Sequence, residues 1–429
     1  LGALREGGRG AAGGRRQALR RRLVVVQLAL SVVLVVAAGL MARSLARLRA
    51  IEPGFAPAGL LTLRVDPPWT TYNVVAHTAP FYRRALDEIT RIPGVERAAL
   101  TDVLPLAGRD AEGGLHPHRP EVEGWGAEER ERAPFVQLQM VSPGYFATMR
   151  VPVRRGRAFT ERDDTTAPPA AVVSEALARR LWPGRDPVGS RLRLGALDAN
   201  YAPVASGPQP AAPWLTVIGV AGDVQDAGLG AAPGATLYVS SAQQFVPEGY
   251  LVVRTRGGVG ADDARLATAV RDAVWRVDPR LALWEVRAMT ARVADTVWDR
   301  RLAGALLAGF GALALALAAV GLYAVVAYAA AERTREVGVR MALGATPASV
   351  ARSVVGDAAR LAAWGLALGA AGALASGALV AELLYGVSPR DPLTFGAALA
   401  LLGAVTVGAA WVPAWRAARV DPVEALRRE

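Results

Sequence analysis

The sequence predicts a membrane protein of four transmembrane helices that carries one α+β domain beyond the membrane, and three observations lead there. Apolar residues fill 52% of the 429 positions, a high share for a soluble protein. Four charge-free runs, Leu23 to Ala42, Leu302 to Ala331, Leu361 to Ala381 and Pro392 to Trp415, each come close to or exceed the roughly 20 residues that cross a bilayer core. Between the first two, residues 43–301 alternate strand and helix patterns and are long enough for a core of their own.

Residues 1–22 carry seven Arg against one acid and read as a cytoplasmic segment. The run 23–42 is longer than the apolar region of a signal peptide, and the "GLMARSLARL" that closes it continues a helical pattern without a small-residue cleavage site, so it stays as an anchor. The formal net charge is +11 and every one of the 49 basic residues is Arg. The excess collects beside membrane ends: five Arg against three acids in 332–360 and four against three in 416–429, while 43–301 is nearly balanced at 32 against 29. That distribution removes nucleic acid as a partner and sets a topology by the positive-inside rule. Residues 43–301 and the short loop 382–391 lie outside; 332–360 and the tail 416–429 lie in the cytoplasm. Arg43, Arg47 and Arg49 sit on the wrong side for a strict rule, which long translocated domains tolerate. With no Cys in the chain, the external domain has neither disulfides nor thiolate sites.

In the external segment "LLTLRVD" reads as a strand, Phe81, Ala85 and Ile89 mark the following helix, and "VERAALTDV" is the next strand, so residues 60–103 form a βαβ unit. A second unit runs from "YLVVRTRG" to "LALWEV". Between them lie a Gly/Pro-rich stretch, 104–134, and a β-rich block, about 135–240, with strands at "FVQLQMV", "AAVV", "SRLRL", "WLTVIGVAGDV" and "TLYVS", an inserted subdomain. Leu45 and Leu48 after the first run, and Met289, Val293 and Val297 before the second, keep helical spacing, so both runs extend outward as stalk helices.

The segment "AERTREVGVRMALGATPASVARS", residues 331–353, interrupts the apolar pattern. Glu336 and Arg340 stand at i, i+4 in the favourable order and Val337 with Met341 forms an apolar pair beside them, which suits a short amphipathic helix. Gly344 stops it, Thr346 is a good N-cap and Pro347 a good first helical residue, so a new helix starts at once. Composition alone favours an ordinary connecting loop whose Arg residues only hold it on the inside.

Sequence identity decides between these. "RTREVGVRMALGATPASV" resembles the signature that follows the second span in FtsX-like permeases of the MacB type. "VSPGYFATMRVPVRRGRAFTERD", "ARRLWPGRDPVGSRL" and "WLTVIGVAGDV" resemble that family's periplasmic core domain, and "LLYGVSPRDPLTF" and "PAWRAARVDPVEALRRE" its last loop and tail. The resemblance implies four transmembrane helices plus an α+β periplasmic domain of MacB periplasmic-core type, in a bacterial inner membrane. It implies a permease subunit of an ABC-type system that couples ATP hydrolysis on a separate cytoplasmic ATPase to efflux or export by mechanotransmission. Arg335, Glu336, Val337, Gly338, Arg340, Met341, Leu343, Gly344 and Ala345 would contact that ATPase. ATP and Mg would belong to the partner, with no cofactor in this chain. Further partners would be membrane lipid and a second permease half or a homodimer partner. Within the same fold, a subunit that handles lipoproteins or regulates a cell-wall hydrolase is the rival; an anchored periplasmic binding module without an ATPase is the rival from another class. "LGALREGGRG" resembles the tail "VEALRRE", which suggests the second half of a duplicated orphan permease.

Other chemistry finds little footing. A chain without Lys has no Walker A lysine, so the reading is of a non-enzyme. His77, His116 and His118 lack Cys partners and read as surface residues, and Ser174, without the flanking glycines of a nucleophile elbow, reads as an N-cap. Arg154, Arg155 and Arg157 read as a solvated loop, with an anionic lipid head group as the alternative. Gly365 and Gly369 form a GxxxG that fits packing within the subunit or dimerisation equally well.

Overall fold

The computed structural model describes residues 7–106, 116–194, 213–258, 264–332, 347–381 and 383–417. The chain divides into two compact units, Leu1–Ala50 with Trp298–Glu429, and Ile51–Val297. The helices among the described residues are α1 (Gly7–Arg49), α2 (Val75–Thr90), α3 (Ala127–Glu131), α4 (Tyr145–Met149), α5 (Glu175–Leu181), α6 (Ala264–Val277), α7 (Met289–Asp295), α8 (Trp298–Glu332), α9 (Pro347–Ala381) and α10 (Pro392–Ala417).

The first unit is a bundle of α1, α8, α9 and α10. Each contains a stretch long and apolar enough to cross a membrane: Leu19–Arg49, Trp298–Tyr328, Ala358–Ala378 and Pro392–Pro413. The helices overrun the charge-free runs at several ends, because Arg-rich turns continue a helix past the apolar stretch without changing its hydrogen bonding. Val32, Val36 and Leu40 of α1 are enclosed with Ala318, Ala373 and Leu402 from the other three helices. Ser31, buried on α1, donates its hydroxyl to the Gln27 carbonyl at 2.8 Å, which satisfies it within the helix.

The strands of the second unit are β1 (Leu60–Asp66), β2 (Val95–Thr101), β3 (His116–His118), β4 (Pro120–Val122), β5 (Val136–Val141), β6 (Val153–Gly156), β7 (Ala170–Ser174), β8 (Arg191–Leu194), β9 (Leu215–Ala221), β10 (Thr236–Ser240), β11 (Gly249–Thr255) and β12 (Ala282–Ala288). They run in the order β12-β1-β11-β2-β5-β10-β7-β9-β8-β4, with β3 on β5 and β6 on β9. The first four, β12 to β2, each run antiparallel to their neighbours. Each βαβ unit expected from sequence is split: β11 lies between β1 and β2, and β1 between β11 and β12. The two units interlock as a ferredoxin-like split βαβ. Both βαβ units read from sequence are present; local periodicity marks their strands but carries no information on which neighbour each strand takes. α2 and α6 cover one face with Phe81, Ala85, Ile89, Val270 and Val274. Tyr145, Phe146 and Met149 of α4 and Met289 of α7 cover the other. β11 is therefore buried along its whole length, which explains its unbroken apolar pattern.

Arg254 is the exception in β11. The residue is 1% exposed, and its guanidinium donates to the carbonyls of Thr148, Ala58 and Ala56, the last two at 3.0 and 2.8 Å. Burial lowers its pKa to about 10, and the carbonyls compensate the charge's lost water.

The β-rich insertion forms the rest of the sheet and mixes parallel pairs, β5 with β10 and β7 with β9, with antiparallel ones. It reaches beyond the expected 135–240, since β3 and β4 from the Gly/Pro-rich stretch pair into it. The two parts of the sheet meet at a single ladder pair, Thr101 with Val141. Side chains continue that ladder: Ser142 Oγ accepts from Leu100 N at 2.9 Å, and Asp102 Oδ1 accepts from Met140 N at 2.9 Å. Asp102 Oδ2 is buried with no hydrogen-bond partner, and burial pushes the carboxyl up to about 7.

The two runs read as stalk helices end differently. α1 continues to Arg49, but the helix before α8 is interrupted: α7 stops at Asp295, and Thr296 and Val297 separate it from α8. Met289 is fully buried and Val293 packs on the domain core, so the apolar stripe read as a stalk seam anchors α7 to the sheet instead.

Candidate coupling site and its helical frame

The coupling residues named from sequence, Arg335, Glu336, Val337, Gly338, Arg340, Met341, Leu343, Gly344 and Ala345, and the cap Thr346 lie outside the described residues. Their frame is described. α8 enters the segment at Glu332, and α9 leaves it with Pro347 as its first helical residue, where a missing N–H costs nothing.

Both flanking helices close on α1 through glycines. A Cβ on Gly365 would lie 2.7 Å from Leu28 Cδ2, and one on Gly369 would lie 2.5 Å from Val32 Cβ and 2.8 Å from the Ala29 carbonyl oxygen. Only hydrogen fits at these positions. The GxxxG thus serves packing within the subunit, the first of its two sequence readings. On α8, Gly321 faces Gln27 and Val24, and Gly304 faces Met41. At the end nearest the coupling segment, Val24, Leu322, Val326, Ala358 and Ala410 form one cluster from all four helices. Displacing either end of residues 333–346 would therefore press on α1 directly.

The opposite end of the bundle contains a latch that the sequence reading missed. Arg43 forms an ion pair with Asp391, and Ser44 Oγ accepts from Tyr385 N at 2.8 Å. Asp391 also caps α10, accepting from Thr394 N at 2.9 Å and Thr394 Oγ1 at 2.6 Å. The Thr394 bonds foremost, and Arg43 after them, lower its pKa. Arg43, out of place by the charge rule, thus has a specific partner in the 382–391 loop. The available signal was Asp391 immediately before Pro392, an N-cap followed by a proline at the first helical position.

The remaining candidates resolve individually. Ser174 Oγ accepts from Leu177 N at 3.2 Å and from Thr236 N at 3.0 Å, the N-cap expected of it. Arg157 holds Asp163 through two bonds of 2.7 and 2.8 Å, while Arg154 and Arg155 are exposed. No group of three metal-ligating side chains occurs among the described residues, and His77 is exposed on α2.

Comparison with known proteins bears on the whole. Residues 23–273 match the MacB-like periplasmic core domain and residues 308–422 the FtsX-like permease C-terminal region. The chain is 36% identical over 135 residues to the macrolide export ATP-binding/permease protein MacB of Nitrobacter winogradskyi, covering 30% of this chain and 20% of that one. It is 27% identical over 293 residues to the pyoverdine export ATP-binding/permease protein PvdT of Pseudomonas putida, covering 65% and 41%. To MacB of Azoarcus sp. it is 29% identical over 286 residues, covering 65% and 40%. It thus spans about two fifths or less of these relatives. Among solved structures, the periplasmic region of MacB from Actinobacillus actinomycetemcomitans aligns over 56% of this chain and 94% of that one, at 10% identity and a TM-score of 0.34. With the core-domain match covering more than half of its length and the FtsX-like region following on the same bundle, the chain belongs to the family of FtsX-like permeases with a MacB-like periplasmic core domain.

Proposed function

We propose that this chain is the permease part of an ABC-type export system, seated in the bacterial inner membrane, which couples ATP hydrolysis on a separate cytoplasmic ATPase to work in the periplasm by mechanotransmission. The observation that carries the reading is the frame around residues 333–346. The FtsX-like match runs through that segment, and the helices on both sides of it lie against α1 by glycine contacts, so a push from a cytoplasmic partner is felt at once by three of the four spans. α1 then runs without a break to Arg49, two residues before the core domain begins. The relatives' names join ATP-binding and permease functions, and a chain without Lys supplies no Walker A lysine. A second permease half or a second copy completes the assembly in this reading.

The test is a pull-down from membranes with the wild-type chain and a Glu336→Arg, Met341→Asp variant checked for normal insertion. A P-loop ATPase should come down with wild type and be lost with the variant. Equal recovery with both, or none with either, would sink the coupling reading and leave an anchored periplasmic module.

A further inference from the structure

A cavity of about 400 Å³ lies in the core domain between α2 and the inserted subdomain. Its size is within the range of small-molecule sites, and seams between subdomains are where such sites concentrate. α2 supplies one wall; the turn after β5 and residues 161–165 and 241–242 supply the other.

The lining separates by chemistry. Val75, Ala79, Leu86 and Pro143 give an apolar surface. Tyr82 adds an aromatic one: the residue is 3% exposed, and its phenol oxygen has no hydrogen-bond partner. Around this surface stand the carboxylates of Asp87, Glu161 and Asp164 against one guanidinium, that of Arg83. Asp87, Glu161 and Arg83 have no ion-pair partner among the described residues. Asp164 Oδ1 accepts from Thr166 N and Oγ1 at 2.9 and 2.7 Å. Three carboxylates against one guanidinium around an apolar recess favour positive charge on an apolar body.

We propose that this cleft binds an apolar organic cation. The site is also placed to report occupancy. Ser142, which lines the cavity, holds Leu100 N at the single ladder pair joining the two parts of the sheet. A ligand seated there bears on the joint between the subdomains. The inference does not rest on coupling to an ATPase, because binding requires no nucleotide.

The experiment uses the full chain in lipid nanodiscs and equilibrium dialysis with tetraphenylphosphonium, against tetraphenylborate, an anion of the same shape. Empty nanodiscs of the same lipid measure partition into the bilayer. One saturable site per chain is expected for the cation and none for the anion. In a Asp87→Asn, Glu161→Gln variant the affinity should fall at least tenfold. Ala79→Phe, which fills the recess without altering charge, should abolish the site while leaving thermal unfolding of the domain in place. Absence of saturable binding above empty discs, equal binding of the anion, or unchanged binding in both variants overturns the proposal.

Discussion

Leu63 in the core domain and Gly369 in the membrane bundle are both buried, yet they secure contact by opposite means. Leu63 fills space between β1 and the helices over it, and water drives that burial, worth about 1.5–3 kcal/mol for a Leu side chain. Gly369 removes material so that α9 can approach Val32 of α1. Lipid gives no comparable drive to bury a side chain, so closeness of backbones and dispersion must supply the contact. The bundle correspondingly turns large apolar residues outward, among them Leu306, Phe310, Leu313 and Leu317 of α8, whereas the domain keeps most such residues inside, with exceptions such as Trp69 and Trp284. One chain uses two packing rules because it meets two solvents.

Three experiments can break or sharpen that contrast. The largest effect belongs to the domain core, where Leu63→Ala should cost about 2–5 kcal/mol, read as lost hydrogen-exchange protection in β1 and β11. The same truncation at Leu306, 52% exposed on the bundle, should stay within about 0.5 kcal/mol. If Leu306→Ala were as costly, the outer face of α8 would be a packed interface.

Adding volume should reverse the ranking. Gly369→Val forces a Cβ into Val32 and should destabilise the bundle by about 1–3 kcal/mol, measured as thermal unfolding in detergent. Gly403→Val is its control, since a Cβ there meets nothing within 4 Å. Equal tolerance at both positions would mean that α1 and α9 pack more loosely than the glycine contacts imply.

The third experiment asks whether polar groups at the sheet joint behave as a buried, water-excluded site. Burial raises the folded-state value of Asp102 to about 7 from an ordinary 3.8. Between those values the folded chain keeps a proton that the unfolded chain has lost, so stability falls as pH rises from about 4 to 7. Asp226 acts in the same direction, its carboxyl raised to about 6 by burial, while the Arg157 bond and the Arg280 bond lower Asp163 and Asp278 and act oppositely at more acid pH. Asp102→Asn should flatten the slope by at most about 1.4 kcal/mol per pH unit. The readout is denaturant unfolding of the domain at a series of pH values. A slope unchanged in Asp102→Asn would show that the carboxylate is hydrated.

The sequence by itself determined the number and order of the apolar spans and most of the segments that become strands, though not β3, β4 or β6. Apolar run length, Arg placement and period-2 or period-3.6 patterning are local properties, and local sequence carries them. The cap at Ser174 and the helix start at Pro347 were legible for the same reason, since each rests on a few neighbouring residues. Only the tertiary structure decided that β11 enters between β1 and β2, that the stripe of Met289 and Val293 anchors α7 to the sheet, and that Gly365 and Gly369 face α1 of their own chain. It also decided that Arg43 meets Asp391, 348 positions away. Each of these choices pairs residues distant in the chain. Which partner a face takes depends on where the rest of the chain has been brought, and composition and spacing say nothing about that.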